Sequence, residues 1–441
     1  MIITNQENIV VSDIELEIKR LTQGGDGLGW LKSQAVFVPF SAPGDYIGAT
    51  IVKKEKDFIK AHIEEIITPS TSRVVPPCPY FGECGGCQWQ HLQYKEQLSQ
   101  KEEIVKNSLE RIAKISACTM RPIIPSPQEL QYRCRMQFSI NHIQKKPHIG
   151  LYAKKTHQLV ALDKCLIAHP LINKVLKDLS AWMQSCDDKH LMGVDITCDK
   201  EGEKALLVIR YIKGDIREKT EKIAHLLTIC PEISGILLRI QQYRAAKVKH
   251  IGEHHLSLNI HNFKYIIAPE SFIQVNLKGN ELLIQQVLDA AAAFKPANIL
   301  ELHCGMGNFS IPLSTISEQL LGIESDPDAY QCALANAYQN KRDNCSFLKK
   351  SDIKGLKELI RQNKRFSLLI LDPPRCGCKQ ILDFIPSLHI NHIIFVSCNP
   401  ATLARDIAHL RTLGYSLESV QPIDMFPQTF HVETVCTLVK K

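Results

Sequence analysis

No stretch of this 441-residue chain approaches the roughly 20 consecutive apolar residues that span a bilayer, so no membrane-crossing helix is expected. The N-terminus, MIITNQENIVVSDIELEIKR, lacks a basic region followed by an apolar core, which argues against a secretory signal and for a cytoplasmic protein. Without a secretory route, the 16 cysteines are expected as thiols, metal ligands or a catalytic group in a reducing compartment, not as disulfides. Compositional extremes are absent too: 44% hydrophobic and 22% charged residues describe an ordinary globular protein. The length exceeds one ordinary core and implies two or three domains.

A strong net charge is also missing, yet the formal +7 is unevenly spread. Residues 1–68 carry 7 Lys+Arg against 10 Asp+Glu, residues 69–262 carry 28 against 19, and residues 263–441 carry 18 against 17. The basic middle third suits a nucleic-acid partner, and charge alone fits a solvated basic face equally well.

The first segment reads as strands. Ile14, Leu16 and Ile18 alternate with Glu15, Glu17 and Lys19, the period of a half-buried strand. GGDGLGW, AVFVPF, SAPGD and a run from Tyr46 to Ile67 follow, and short strands with glycine and proline turns predict a small OB-like barrel. PSTSRVVPP, residues 69–77, reads as a linker. Cys78, Cys84 and Cys87 then form a C-x5-C-x2-C run, followed by a helical pattern in HLQYKEQLSQKEEIVKNSLERIAK. From about 125 to 262, strand-like runs such as MQFSI, ALLVIRYI and ISGILLRI predict an α+β domain. The last segment alternates ELLIQQVLDAAAAF, NILELH, LLGIES, FSLLILD and HIIFVSC with helical stretches, which predicts an α/β, doubly wound, mostly parallel sheet. YSLESVQPIDMF and HVETVCTLVKK suit an antiparallel end of that sheet.

The chemistry sits in that last segment. NILELHCGMGNF runs a buried strand into Gly305 and Gly307, a tight turn where backbone can approach a ligand at the carboxyl end of the sheet. The third glycine of a dinucleotide fingerprint is missing, with Ser310 in its place. Glu324 ends the next strand, where a carboxylate can accept hydrogen bonds from both hydroxyls of a ribose; NAD stays possible from these two features. Leu371-Asp372-Pro373-Pro374-Arg375 ends the fourth strand. Exocyclic-amine methylating enzymes carry a similar tetrapeptide ending in an aromatic residue, and here Arg375 replaces that ring. Cys398 lies at a strand end beside a helix N-terminus, where the positive end of the helix dipole favours thiolate and a nucleophile, although a small buried hydrophobe fits the position equally. Glu433, between Val432 and Thr434, is expected by alternation to face solvent, with a base of raised pKa as the functional alternative. Cys376 and Cys378 form a C-x-C beside the Asp-Pro-Pro loop with no assigned role.

CPYFGECGGCQWQH, SFIQVN, ELHCGMGNF, LDPPR, SCNPATLARD and HVETV, together with the N-terminal barrel pattern, make the chain resemble the uracil-C5 RNA methyltransferase family over its full length. The resemblance is to the bacterial large-subunit ribosomal RNA branch, with an N-terminal TRAM domain and an iron–sulfur cluster. It implies a class I (Rossmann-like) methyltransferase domain of residues 93–124 and 263–441, a TRAM barrel of 1–68, and a central domain of 69–92 with 125–262. It implies Cys398 as the nucleophile at C6 of uracil and Glu433 as the base that removes the C5 proton. S-adenosylmethionine would be held by Gln274, His303, Asn308, Glu324, Asp352 and Asp372, with Ser351 the alternative to Asp352 and His303 standing where relatives often have Phe. Spacing alone leaves zinc as a rival for the three cysteines; the resemblance selects Cys165 as a fourth ligand of a [4Fe–4S] cluster. The implied substrate is 23S ribosomal RNA, with transfer RNA as the alternative, and the implied state a monomer. RNA contact is expected of Arg133, Arg135, Lys145, Lys146, Lys154 and Lys155. The other rivals are an exocyclic-amine methyltransferase, which would not need Cys398, and a non-catalytic iron–sulfur RNA-binding protein.

Overall fold

The computed structural model describes residues 13–116, 118–144, 146–186, 188–241 and 246–441; Lys145 lies outside them. Strands β1 (Ile14–Leu21), β2 (Gly27–Leu31), β3 (Gln34–Val38), β4 (Tyr46–Lys54) and β5 (Phe58–Thr68) close into a barrel in the order β1-β2-β3-β5-β4. Its interior holds Leu16, Ile18, Val36, Val38, Ile47, Ala49, Ile59 and Ala61, the apolar positions of alternating runs, so closure buries one face of every strand.

The middle of the chain forms a seven-stranded sheet from β7 (Arg135–Ile143), β8 (Lys146–Tyr152), β9 (Leu159–Ala161), β10 (Leu191–Cys198), β11 (Ala205–Tyr211), β12 (Ile233–Ile240) and β13 (Lys247–Gly252), after a two-residue β6 (Thr119–Met120) that belongs elsewhere. The sheet order is β13-β12-β11-β10-β7-β8-β9, with the helix Pro170–Cys186 packing Leu171, Ile172, Val175, Leu176 and Leu179 against it. A hairpin of β14 (Leu256–Ile260) and β15 (Phe263–Ile267) leads into the last unit.

There, β16 (Asn298–Leu302), β17 (Gln319–Glu324), β18 (Cys345–Lys349), β19 (Leu368–Leu371), β20 (His392–Ser397), β21 (Tyr415–Ile423) and β22 (Glu433–Lys440) join β6 in an eight-stranded sheet of order β18-β17-β16-β19-β20-β22-β21-β6. The first five strands are parallel, β22 runs antiparallel to β20, and β21, antiparallel to β22, runs the same way as the first five. Leu368–Leu371 and Ile393–Val396 are buried without interruption, as strands covered by helices on both faces must be. The chain order reverses between β16 and β19, so a crevice opens at the carboxyl ends of these two strands. The sheet is the α/β fold expected from the sequence. Among the described residues no helix is long and apolar enough to cross a membrane.

One helix, Tyr94–Ser108, ties the parts together. Gln100 Oε1 accepts from the backbone N–H of Leu21 in the barrel at 2.7 Å, and Arg20 donates to Asn107 at 2.6 Å. On the same helix, Lys101 Nζ lies 2.5 Å from Asp424 Oδ1, and both side chains are wholly buried. Lys101 also donates to the Phe426 carbonyl at 3.0 Å, and Gln97 exchanges hydrogen bonds with Gln428. Burial pulls the Lys101 ammonium below the ordinary lysine range, and Asp424 opposes that pull. Removing one partner of such a pair strands a buried charge, at a cost of about 3–5 kcal/mol. Lys101→Met is expected to destabilise the protein by that amount in urea unfolding, and a change below about 1 kcal/mol would contradict the assignment.

Candidate active site

Strand β16 delivers the chain into the loop His303–Asn308 at the carboxyl edge of the sheet. Gly305 and Gly307 take φ of 55° and 88°, the left-handed region that favours glycine, and His303 joins them at 62°. The Gly305 N–H donates to Glu324 Oε2 at 2.9 Å, while Glu324 Oε1 accepts from the N–H groups of Ser325 and Asp326, both at 2.7 Å. A carboxylate held by three backbone donors stays fixed at the end of β17. Asn308 and Asn280 exchange a reciprocal pair of amide hydrogen bonds of 2.7 and 3.0 Å. Asn280 belongs to the helix Leu277–Ala292, which Asn276 caps through its hydrogen bond from Gly279 N–H at 2.9 Å. Gln274, buried, lies two residues before that cap. Asp352 opens the helix Asp352–Arg361 after β18, and its Oδ2 stands 3.2 Å from His303 Nε2; this makes Asp352, and not the Ser351 alternative, the neighbour of His303.

The second group stands on three adjacent strands. Asp372 follows β19, Cys398 follows β20, and Glu433 begins β22, whose Thr434 pairs with Ser397. Glu433 is only 2% exposed, so the solvent-facing position expected from alternation is wrong: the antiparallel return places it against β20 in the interior. Burial holds the Glu433 carboxyl well above the usual range, Asp372 adds to this, and Arg375 opposes it. Burial likewise raises Asp372 to about 7. The Cys398 thiol is pushed up to about 11, chiefly by burial and then by Glu433, with Arg375 pulling it down. Burial and the two acids Glu433 and Asp372 thus oppose the thiolate that the helix N-terminus favours. Asn399 Oδ1 caps the helix Pro400–Thr412 by accepting from Ala401 and Thr402 N–H at 3.1 and 3.3 Å. A cavity of about 200 Å³ opens on Cys398, lined also by Gln23, Arg375, Phe430 and His431.

Away from this crevice, Cys78, Cys84, Cys87 and Cys165 line one cavity of about 510 Å³. Burial raises the Cys87 thiol to about 12, and the other three thiols raise it further. Four thiols lining one space are the donor set of an iron–sulfur cluster. Among the described residues no three His, Cys, Asp or Glu side chains stand as a group able to hold a single metal ion.

Residues 93–441 match the family model described as tRNA (Uracil-5-)-methyltransferase. The chain belongs to this family. Residues 14–71 match the TRAM domain of tRNA (uracil(54)-C(5))-methyltransferase. An uncharacterized RNA methyltransferase of Aquifex aeolicus is 34% identical over 97% of this chain and 99% of its own length. One from Caldanaerobacter subterraneus is 33% identical over 96% of both. The solved structure of the Pyrococcus abyssi tRNA (uracil-54, C5)-methyltransferase with S-adenosyl-L-homocysteine superposes with a TM-score of 0.73 at 25% identity, covering 97% of this chain and all of that one. The family and the architecture expected from the sequence motifs both hold.

Of the basic residues expected to touch RNA, Arg135 and Lys154 are engaged within the chain, and Arg133 lines a cavity. Arg135 does not face a partner: its guanidinium donates to Thr197 at 2.7 Å and to the carbonyls of Ser271 and Pro269, since the strand face it shares packs on the loop before Gln274. Arg133 lines the four-cysteine cavity, and its buried Nε has no hydrogen-bond partner among the described residues. Lys154 is paired with Asp26 of the barrel at 2.8 Å. The sequence reading also missed Glu301, an acid inside the apolar strand NILEL. It is buried, receives a hydrogen bond from Ser310 and is raised to about 8 by burial. An acid inside the apolar run Ile299–Leu302 was the available signal.

Below its pKa a thiol's reactive fraction grows about tenfold per pH unit. Alkylation of Cys398 by iodoacetamide, followed by peptide mass spectrometry, is thus expected to rise by about that factor per unit between pH 7 and 10. Arg375→Ala, which removes the cation that lowers Cys398, is expected to slow it severalfold at pH 8; an unchanged rate would contradict the role given to Arg375.

Proposed function

We propose that this protein transfers a methyl group to carbon 5 of a uracil in 23S ribosomal RNA, with Cys398 as nucleophile and Glu433 as base. The observation that carries the reading is the meeting of Asp372, Cys398 and Glu433 at the ends of three neighbouring strands, beside a small cavity and next to the glycine loop. The division into a barrel of 1–68, a central domain of 69–92 with 125–262 and a catalytic domain of 93–124 with 263–441 is part of the same reading.

Carbon 5 of uracil is a weak nucleophile until a thiolate adds at C6 and turns the ring into an enolate. Cys398 is positioned for that addition, and Arg375 beside it favours the thiolate. S-adenosylmethionine, when bound, supplies from its sulfonium the methyl group that C5 takes up. Gln274, His303, Asn308, Glu324, Asp352 and Asp372 would hold it, with Glu324 reaching the ribose hydroxyls from the end of β17. Glu433 then accepts the C5 proton, the C5–H electron pair becomes the C5=C6 double bond, and Cys398 leaves C6 as a thiolate. A carboxyl raised by burial is a strong base once ionised, and both Arg375 and the positive charge that enters with the sulfonium favour the ionised form. The target base must leave its stack to reach Cys398, so surfaces outside the catalytic domain are expected to grip the RNA backbone.

Cys78, Cys84, Cys87 and Cys165 would hold a [4Fe–4S] cluster of structural role, since the reaction contains no electron transfer. Analysis of anaerobically purified protein is expected to give iron and inorganic sulfide in equal amounts; zinc in their place would overturn this part of the reading.

A transfer RNA uracil is the second reading, favoured by the Pyrococcus abyssi structure, whose enzyme acts on a transfer RNA uracil. Transcripts of 23S ribosomal RNA and of transfer RNA, incubated with the enzyme and S-adenosylmethionine and digested for mass spectrometry, decide between them. 5-Methyluridine in the ribosomal transcript is expected; its appearance in transfer RNA alone moves the substrate to the second reading. Cys398→Ala is expected to cut transfer on the order of a thousandfold or more, as loss of a covalent nucleophile does. Glu433→Gln is expected to accumulate a protein–RNA adduct, because elimination needs the base.

A further inference from the structure

The cavity over Cys398 has one wall that comes from outside the catalytic domain. Gln23, on the glycine-rich turn between β1 and β2 of the barrel, lines it together with Arg375, Asn399, Phe430 and His431. At about 200 Å³ the space falls below the roughly 300 Å³ at which drug-sized ligands begin, and suits a single ring.

Gln23 Nε2 donates to Asn399 Oδ1 at 2.5 Å. The assignment of donor and acceptor follows from the network: Asn399 Oδ1 already accepts from Ala401 and Thr402 N–H, so it is the oxygen, and Gln23 must present a nitrogen. Asn399 is the residue after Cys398. Its Nδ2 donates to the Arg375 carbonyl at 3.1 Å, and Thr402 Oγ1 donates to the same carbonyl at 3.2 Å. The one amide that Gln23 holds thus fixes both the loop carrying the nucleophile and the backbone of the cation beside it.

The turn that carries Gln23 is itself clamped. Trp89 Nε1 donates to the Gly25 carbonyl at 3.1 Å, and Lys154 pairs with Asp26 at 2.8 Å. Gly25 has φ of +85°, and a Cβ there would stand 3.0 Å from the Phe430 ring. A side chain at this position would be both strained and crowded, so the turn fits against the cavity wall only as glycine. A loosely tethered barrel would need none of these contacts.

We propose that Gln23 is a positioning residue for Cys398, which makes the barrel a structural part of the active site. It acts through Asn399 and does not take part in bond making. The inference rests on the reading of Cys398 as nucleophile given above.

Gln23→Ala removes the contact. Gln23→Glu keeps the size but cannot donate to Asn399 Oδ1, and it sets a negative charge beside the nucleophile. Cys398 is faced by Glu433 from β22, by Asp372 and Arg375 from the loop after β19, by His431 from the segment before β22, and by Gln23 from the barrel. An added carboxylate joins the two acids in opposing thiolate formation. The test is single-turnover methyl transfer at saturating RNA, measured from pH 6 to 10 for the parent, both Gln23 variants and Cys398→Ala, with KM for RNA and Tm alongside.

Misplacement of a reacting group by about 1 Å costs on the order of a hundredfold. Gln23→Ala is expected to lose 10- to 100-fold in rate at about the parental KM and Tm. Gln23→Glu is expected to lose at least as much and to shift the pH–rate profile to higher pH. Parental rates and profiles in both variants overturn the proposal. So does a loss confined to KM, which makes the turn an RNA contact only, or a loss of Tm with the rate retained. If Cys398→Ala transfers methyl like the parent, the nucleophile reading falls and this inference with it. If Cys398→Ala is dead and only the Gln23 variants behave as the parent, the reading stands and the inference alone is lost.

Discussion

A buried ion pair between residues 323 positions apart in sequence holds this molecule in its working arrangement. Lys101 and Asp424 are both inaccessible to water, so neither can be satisfied except by the other and by the Phe426 backbone around them. The helix that carries Lys101 also carries Gln97, which receives the Gln428 N–H, and Gln100, which anchors the barrel strand at Leu21. The Gln428 carbonyl in turn accepts from the N–H groups of Gln88 and Trp89, next to Cys87. Asp424 stands at the start of the loop that passes Phe430 and His431 before Glu433. The barrel, the cysteine loop and the catalytic strand therefore converge on one segment, residues 424–433, and share its position.

The crevice beside that segment concentrates acids. Glu301, Asp372 and Glu433 are all raised by burial, and the Cys398 thiol is raised with them. Arg375 is the cation that opposes this for both Cys398 and Glu433. Such a site favours neutral forms at rest and responds strongly to any positive charge that enters it, because attraction between charges is far stronger where water is excluded. A sulfonium is such a charge. Under the proposed function, the residues of this site would hold the methyl donor, and the positive charge it brings would favour ionisation of Cys398 and Glu433.

The catalytic sheet was legible because its strands are short apolar runs ended by residues that no core would choose: glycines after β16, an acid after β17, Asp-Pro-Pro after β19 and Ser-Cys-Asn after β20. The barrel was legible from alternation. Features that depend on partners distant in sequence were not. Glu433 reads as exposed by period, and only pairing of β22 with β20 buries it. Arg135 reads as a free basic residue until the loop 269–271 is seen to take its guanidinium. Cys165 shares a cavity with Cys78, Cys84 and Cys87 although no spacing rule connects them; the resemblance to the family supplied it. Gln23 carries no signal at all, since an amide in a glycine-rich turn is ordinary and its importance lies in the residue it touches.

The proposed chemistry turns on a covalent bond between Cys398 and the substrate. Ribosomal RNA transcribed with 5-fluorouridine tests it most directly, since fluorine at C5 cannot leave as a proton and the covalent intermediate should be trapped. After incubation with S-adenosylmethionine, the adduct is isolated under denaturing conditions, digested, and its peptide identified by mass spectrometry. A methylated fluorouridine attached to the peptide through Cys398 is expected. Attachment through another cysteine such as Cys376, or methyl transfer that proceeds with no adduct, would contradict it.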